Sequence, residues 1–300
     1  MTYCPASEVI CDWLDVSYAP DDCPYPDVNR ILLSAGFLPK PSPESGVHVY
    51  HPPQGIHGMV RVEYRTRFAR ISASGGACAF LRAAGHWDDY LFALSTSPHK
   101  VTRIDAALDV PRDGALVIRE LRARYPDGSA SLTRKAMPIK TILSTRSDGL
   151  ESGTWYLGYR TRARVTARVY DKALELLEKQ GVLIPPTTRY EITARTDSGA
   201  TLRDAALPAS LFWHVASPTL LQAPEGVDMW IPNTDLGWSY QPAPVDSAAV
   251  LRRAVEGLPL DELALLAEDL GPSGRDYLRG LLLKRLGMAG IDSDAESAAA

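Results

Sequence analysis

Four cysteines in 300 residues form no CxxC pair and meet no histidine at a zinc-binding spacing. Cys4, Cys11, Cys23 and Cys78 therefore read as reduced thiols, which excludes a disulfide-stapled scaffold and a zinc finger. No stretch approaches the roughly 18 uninterrupted apolar residues of a membrane span. The opening residues, MTYCPASEVICDWLDVSY, carry acids and no basic apolar leader, so no signal peptide is expected and the expected location is cytoplasmic. No unit recurs at a period of 20–50 residues, which excludes solenoids and propellers. Paired metal-binding histidines are missing as well. His48 and His51 are separated by Val49 and Tyr50 in a Pro-flanked stretch and read as structural or exposed.

What is present belongs to a globular protein: 45% hydrophobic and 23% charged residues, enough chain for one large domain or two ordinary ones. The net charge of −4 conceals an asymmetry. Residues 60–195 hold 23 Lys and Arg against 14 Asp and Glu, while the remainder holds 9 against 22. A basic middle in an acidic whole implies that the middle faces an anion, and a nucleic-acid backbone is the commonest large one. An ordinary solvated surface is the competing explanation.

Alternation and turn signals predict a strand over 13–18, a short helix over 28–35, and one or two strands over 60–75, ended by Gly75–Gly76. ACAFLRAAGHWDDYLFAL then reads as helix. Further on come a strand over 101–110 ended by Pro111, a helix over 113–125 with Asp113 as N-cap, and a strand-like run over 131–144. Strands over 153–160 and 164–172 stand at hairpin spacing. A helix over 172–180 closed by Gly181 and a strand over 187–195 follow. Proline marks the N-terminal forty-odd residues and 208–244 as loop-rich or wrapping. From Asp246 three stretches carry apolar residues at helical spacing, which predicts a small helical C-terminal module over 246–300 with a frayed end. The fold class expected is α+β, a mainly antiparallel sheet with helices on one side.

Alternation on the strand Arg164–Lys172 places Arg164, Thr166, Arg168, Tyr170 and Lys172 on one face and Val165, Ala167 and Val169 on the other. The polar face sets a phenol among three cations. Cations favour a phenolate, so they are expected to lower the pKa of Tyr170 and to neutralise a phosphate brought to it. A hydroxyl so placed could attack an ester and form a covalent intermediate. Packing in a strand is the alternative for any tyrosine.

VTRIDAALDV places Arg103, Asp105, Ala107 and Asp109 together. Two carboxylates on one face are costly unless paired or bound to a metal, and Arg103 could simply pair with Asp105. Four residues along a strand span about 13 Å, too far for both acids to share one ion without a bend. Glu191, in Arg189-Tyr190-Glu191, would add a third carboxylate and suit an oxygen-rich Mg²⁺ or Mn²⁺ site.

ISASGGACAFL, VTRIDAALDV, TWYLGYRTRARVTARVYDKALEL and TTRYEITAR occur in that order. The series resembles the replication initiation factor (Rep-trans) family of rolling-circle plasmids and filamentous phages. That family shows an Arg-x-Asp strand, a Tyr-x-Gly strand, a Tyr-(Asp/Asn)-Lys strand-to-helix motif and an Arg-x-Glu strand. The resemblance spans roughly residues 55–197 and implies a nicking domain over 1–245 that nicks and closes origin DNA. It implies Tyr170 as nucleophile, with Arg168 and Lys172 at the phosphate. Asp105 and Glu191 become ligands of a divalent ion, and Asp109 a third. Arg103, Arg160, Arg162, Arg164 and Arg189 become DNA contacts. Tyr156 and Gly158 match the Tyr-x-Gly motif and read as structural. The implied partners are single-stranded or hairpin origin DNA, a host helicase and a second copy of the chain; no membrane is implied. A hydrolytic metal-dependent nuclease and a non-enzymatic DNA-binding regulator remain as alternatives.

Overall fold

The computed structural model describes residues 9–132, 138–146, 148–149, 151–158, 163–217, 219–228 and 230–232. The expected helical module over 246–300, Cys4, Arg160 and Arg162 lie outside the described residues.

Ten strands form one antiparallel sheet: β1 (Ile10–Tyr18), β2 (Leu38–Lys40), β3 (Val47–His51), β4 (Val60–Arg65), β5 (Phe68–Ala73), β6 (His99–Val110), β7 (Ile139–Thr145), β8 (Glu151–Leu157), β9 (Val165–Asp171) and β10 (Thr188–Arg195). Their lateral order is β2-β3-β4-β5-β1-β6-β10-β9-β8-β7. The helices are α1 (Tyr25–Ser34), α2 (Gly75–Ala83), α3 (Trp87–Ser95), α4 (Gly114–Arg124), α5 (Lys172–Gln180), α6 (Leu202–Ala206) and α7 (Pro208–Ala216). The expected α+β class holds. Among the described residues no helix is long and apolar enough to cross a membrane.

Alternation gives the sheet two unlike faces. Leu14, Val16, Ile71, Ile104, Ala106, Leu108, Ile192, Ala194, Val169 and Trp155 are buried in the core. α4 packs against β8 and β9, and α6 and α7 pack against β6. Each fully buried Leu or Ile contributes on the order of 2 kcal/mol by leaving water. The opposite face carries the charged residues. Asp113 caps α4 through Ala115 N (2.9 Å) and Leu116 N (3.2 Å). Asp171 caps α5 through Leu174 N (2.9 Å), and Gly181 ends that helix at φ 67°.

Three expectations change. The helix expected across 77–94 is two, α2 and α3, because the chain turns at Gly85 with φ 75°. β2 (Leu38–Lys40) is a strand at the sheet's edge within the N-terminal forty-odd residues that proline marks as loop-rich or wrapping, and β3 pairs with it. The proline-marked region after 207 opens with α7, in which Pro208 occupies the first turn. The three described cysteines, Cys11, Cys23 and Cys78, are buried and free.

Candidate active site

The open face is a grid in which register sets each residue's neighbours. Tyr170 on β9 stands opposite Arg189 on β10, and Arg189 stands opposite Asp109 on β6. In the next row Tyr156 on β8, Arg168, Glu191 and Ala107 follow one another across four strands. Thr166, Thr193, Asp105 and Trp13 make the row after that. Beyond it lie Arg195, Arg103 and Asp15. Five strands, β8, β9, β10, β6 and β1, thus bring together residues up to 177 positions apart.

Each candidate acid meets a candidate cation. Arg103 grips Asp105 with two hydrogen bonds, one of them Nε to Oδ1 at 2.9 Å, so the simple pairing foreseen for these two is present. Arg168 Nη2 donates to Glu191 Oε2 at 2.5 Å. Arg189 donates to Asp109 from both Nε and Nη2 at 2.6 Å, and from Nη1 to Asp12 Oδ1 at 2.9 Å. Lys172 Nζ donates to Glu175 at 2.7 Å and lies 5.7 Å from the centre of the Tyr170 ring; the Arg168 guanidinium lies 5.0 Å from it. Arg164, the residue before β9, is exposed, and its carbonyl accepts from Arg195 N.

Asp105 and Glu191 are each 1% exposed on adjacent strands. Burial first, and the charge of Asp105 second, push the Glu191 carboxyl up to about 7 against the pull of Arg168. Glu191 Oε1 and Arg168 Nε are buried without a hydrogen-bond partner. No three His, Cys, Asp or Glu side chains among the described residues form a ready metal cage. Asp105, Glu191 and Asp109 are each paired with an arginine, and of the three only Asp105 and Glu191 are buried.

Tyr170 is 5% exposed, and its pKa moves opposite to the expectation. Burial raises it well above the ordinary phenol value, aided by the charge of Glu191; Arg189 and then Arg168 offset only part of this. Desolvation outweighs the cations because their charges are already compensated by carboxylates.

Two residues of this face escaped the sequence reading. Trp13 receives the Arg103 guanidinium over its ring at 4.5 Å and donates from Nε1 to Asp15 at 2.6 Å. Asp12 shares alternation parity with Leu14 and Val16, which would place it in the core. A β-bulge between Cys11 and Trp13 turns it to the open face instead. A charge at a core-parity position of a strand was the available signal. His48 stacks on Tyr25, and His51 Nδ1 lies 3.0 Å from Gly58 O, both away from this cluster.

Residues 99–207 match the replication initiation factor family. The matched segment contains β6–β10 and all the grid residues except those on β1. Among solved structures, the chain is similar to the rolling circle replication initiator protein from Geobacillus stearothermophilus, with 21% sequence identity and a TM-score of 0.47. The alignment covers 67% of this chain and 78% of that one. The comparison with curated proteins returns no match.

Proposed function

We propose that this chain initiates rolling-circle replication by nicking and rejoining single-stranded origin DNA through Tyr170. The observation that carries the reading is the convergence of Tyr170, Arg168, Glu191 and Asp105 on one sheet face within the matched segment.

DNA lies along the open face, with the scissile phosphate against Tyr170. A bond forms between Tyr170 Oη and phosphorus as the bond to the 3′ oxygen breaks. The proton lost by the phenol is matched by one gained at the released 3′-hydroxyl, and a 5′-phosphotyrosyl link remains. Arg168 and Lys172 flank the phenol and offset charge on the phosphoryl group as it is transferred. The buried, uncharged phenol waits protonated until that charge arrives. The ester keeps the bond energy, so the 3′-hydroxyl of the new strand can reverse the step.

The acid pair fits a divalent cation. Two buried carboxylates of like charge lie one row apart on the adjacent strands β6 and β10, and one oxygen of Glu191 lacks a partner. Asp105 and Glu191 would hold Mg²⁺ or Mn²⁺, which when bound supplies Lewis-acid charge at the phosphate.

The test uses a 3′-labelled pool of single-stranded oligonucleotides of random sequence, Mn²⁺ and a denaturing gel. The expected outcome is a labelled protein–DNA band that Tyr170→Phe abolishes. Cleavage without an adduct, retained in Tyr170→Phe, would make the protein a hydrolytic nuclease. Binding without cleavage would make it a regulator.

A further inference from the structure

We infer that Asp12 and Asp109 are positioning residues that hold Arg189 beside Tyr170, and that Arg189 serves the tyrosine instead of the DNA backbone. The inference rests on the proposed tyrosine chemistry and deepens it.

Four elements of geometry carry it. Tyr170, Arg189 and Asp109 occupy one row across β9, β10 and β6, so Arg189 directly faces the tyrosine on its neighbouring strand. Facing side chains on adjacent antiparallel strands have Cβ atoms about 5 Å apart. Asp109 grips the guanidinium by two parallel hydrogen bonds, which fixes its plane as well as its position. Asp12 takes a third N–H from β1, on the far side of β6.

Bringing Asp12 there requires two departures from regular structure. The bulge in β1 reverses its face. Gly75, at the start of α2, leaves room for it: a Cβ there would stand 2.7 Å from Asp12 Oδ1 and 2.8 Å from Asp12 O. A fold that needed only a packed strand would dispense with both.

Burial separates this arginine from a backbone-binding one. The Arg189 side chain is 9% exposed, whereas that of Asp109 is 42% exposed. The carboxylate at the rim screens the cation from solvent and from a passing strand. Three of its five N–H groups are already spent on carboxylates. A buried arginine between two acids is weak evidence for stability, because desolvation consumes much of the attraction. It is well suited to holding the remaining guanidinium N–H groups at a fixed distance from a developing anion. The same contacts assign Asp109 to Arg189 and away from the metal.

The measurement is the single-turnover rate of adduct formation on the oligonucleotide most enriched among adducts of the random pool. DNA affinity and the Mn²⁺ midpoint are measured alongside. Asp109→Ala and Asp12→Ala should each slow adduct formation by about tenfold or more at saturating DNA and metal. Affinity and Mn²⁺ midpoint should stay within about twofold of the parent, a margin well below the tenfold that 1.4 kcal/mol represents. Arg189→Lys, which keeps the charge and loses the fork, should be as slow, and Asp109→Glu should recover much of the rate. A raised Mn²⁺ midpoint with full rate at saturating metal would make Asp109 a ligand and overturn the inference. Weakened DNA binding with an unchanged saturated rate would make Arg189 a backbone contact and overturn it too, as would an unchanged rate. Absence of any adduct with the parent protein would instead remove the tyrosine chemistry itself.

Discussion

Glu191 shows how much a single position can carry. Its side chain is fully buried, its partner Arg168 satisfies one oxygen, and nothing satisfies the other. Because its folded-state pKa of about 7 exceeds that of an unfolded glutamate, about 4.3, the native state binds more protons between those values. Stability then falls as pH rises through that window, by at most about 1.4 kcal/mol per pH unit for one group. In metal-free buffer, denaturant unfolding should therefore show a more stable protein near pH 5 than near pH 8, and Glu191→Gln should flatten that difference. Parallel pH profiles for the two proteins would show that another group sets the dependence. Arg189 is the complementary case: three carboxylate bonds keep it charged and in place opposite Tyr170, although burial alone would disfavour that charge.

At the scale of elements, β9 and α5 meet at Asp171, directly after the tyrosine, and α4 starts against this junction. Asp171 caps α5, accepts from Ser152 Oγ at 2.6 Å, and lies 3.4 Å from Arg146 Nη1. A Cβ on Gly114 would fall 2.4 Å from Asp171 Cβ and 2.6 Å from its Cα. In an open helix Gly→Ala stabilises by about 0.5–1 kcal/mol. Here the clash with backbone reverses the sign, and Gly114→Ala should destabilise by about 1–3 kcal/mol in thermal or denaturant unfolding. It should also slow adduct formation by shifting Tyr170; a stabilised variant of full activity would mean that α4 can slide freely. Most strands were legible because one apolar face packs on helices and one polar face does not, as in 101–110 and 164–172. β2 was not, because its three residues are all exposed and one is Pro39. The polar faces of the strands bearing Tyr170, Asp105 and Glu191 followed from alternation, whereas the strand order that joins them comes from the structure. Asp12 was hidden by a bulge, and the tie between Asp109 and Arg189 joins positions 80 apart, which no local pattern encodes.

At the scale of the whole sheet, among the described residues, one face packs on helices and the other carries a lattice of paired charges. The basic excess of residues 60–195, 23 cations against 14 anions, overstates the charge available to DNA. Arg103, Arg168, Arg189 and Lys172 are each engaged by a carboxylate on or beside the open face. Opening the Arg103 and Arg168 pairs to reach phosphates would strand the buried acids Asp105 and Glu191, which costs several kcal/mol for each pair broken. The chain as a whole also carries net charge −4 and a pI near 5.9, so long-range attraction to DNA is weak. Affinity must then come from short-range contacts with exposed groups, among which is Arg164. A single-stranded ligand lowers log K by about 0.7 per log unit of salt for each phosphate neutralised. With the cations of the described open face mostly compensated, a slope of only about −1 to −3 is expected for single-stranded DNA, measured by fluorescence anisotropy between low and moderate salt. A much steeper slope, roughly −5 or beyond, would mean that the ion pairs do open on DNA and that the resting lattice is a latch released by the substrate.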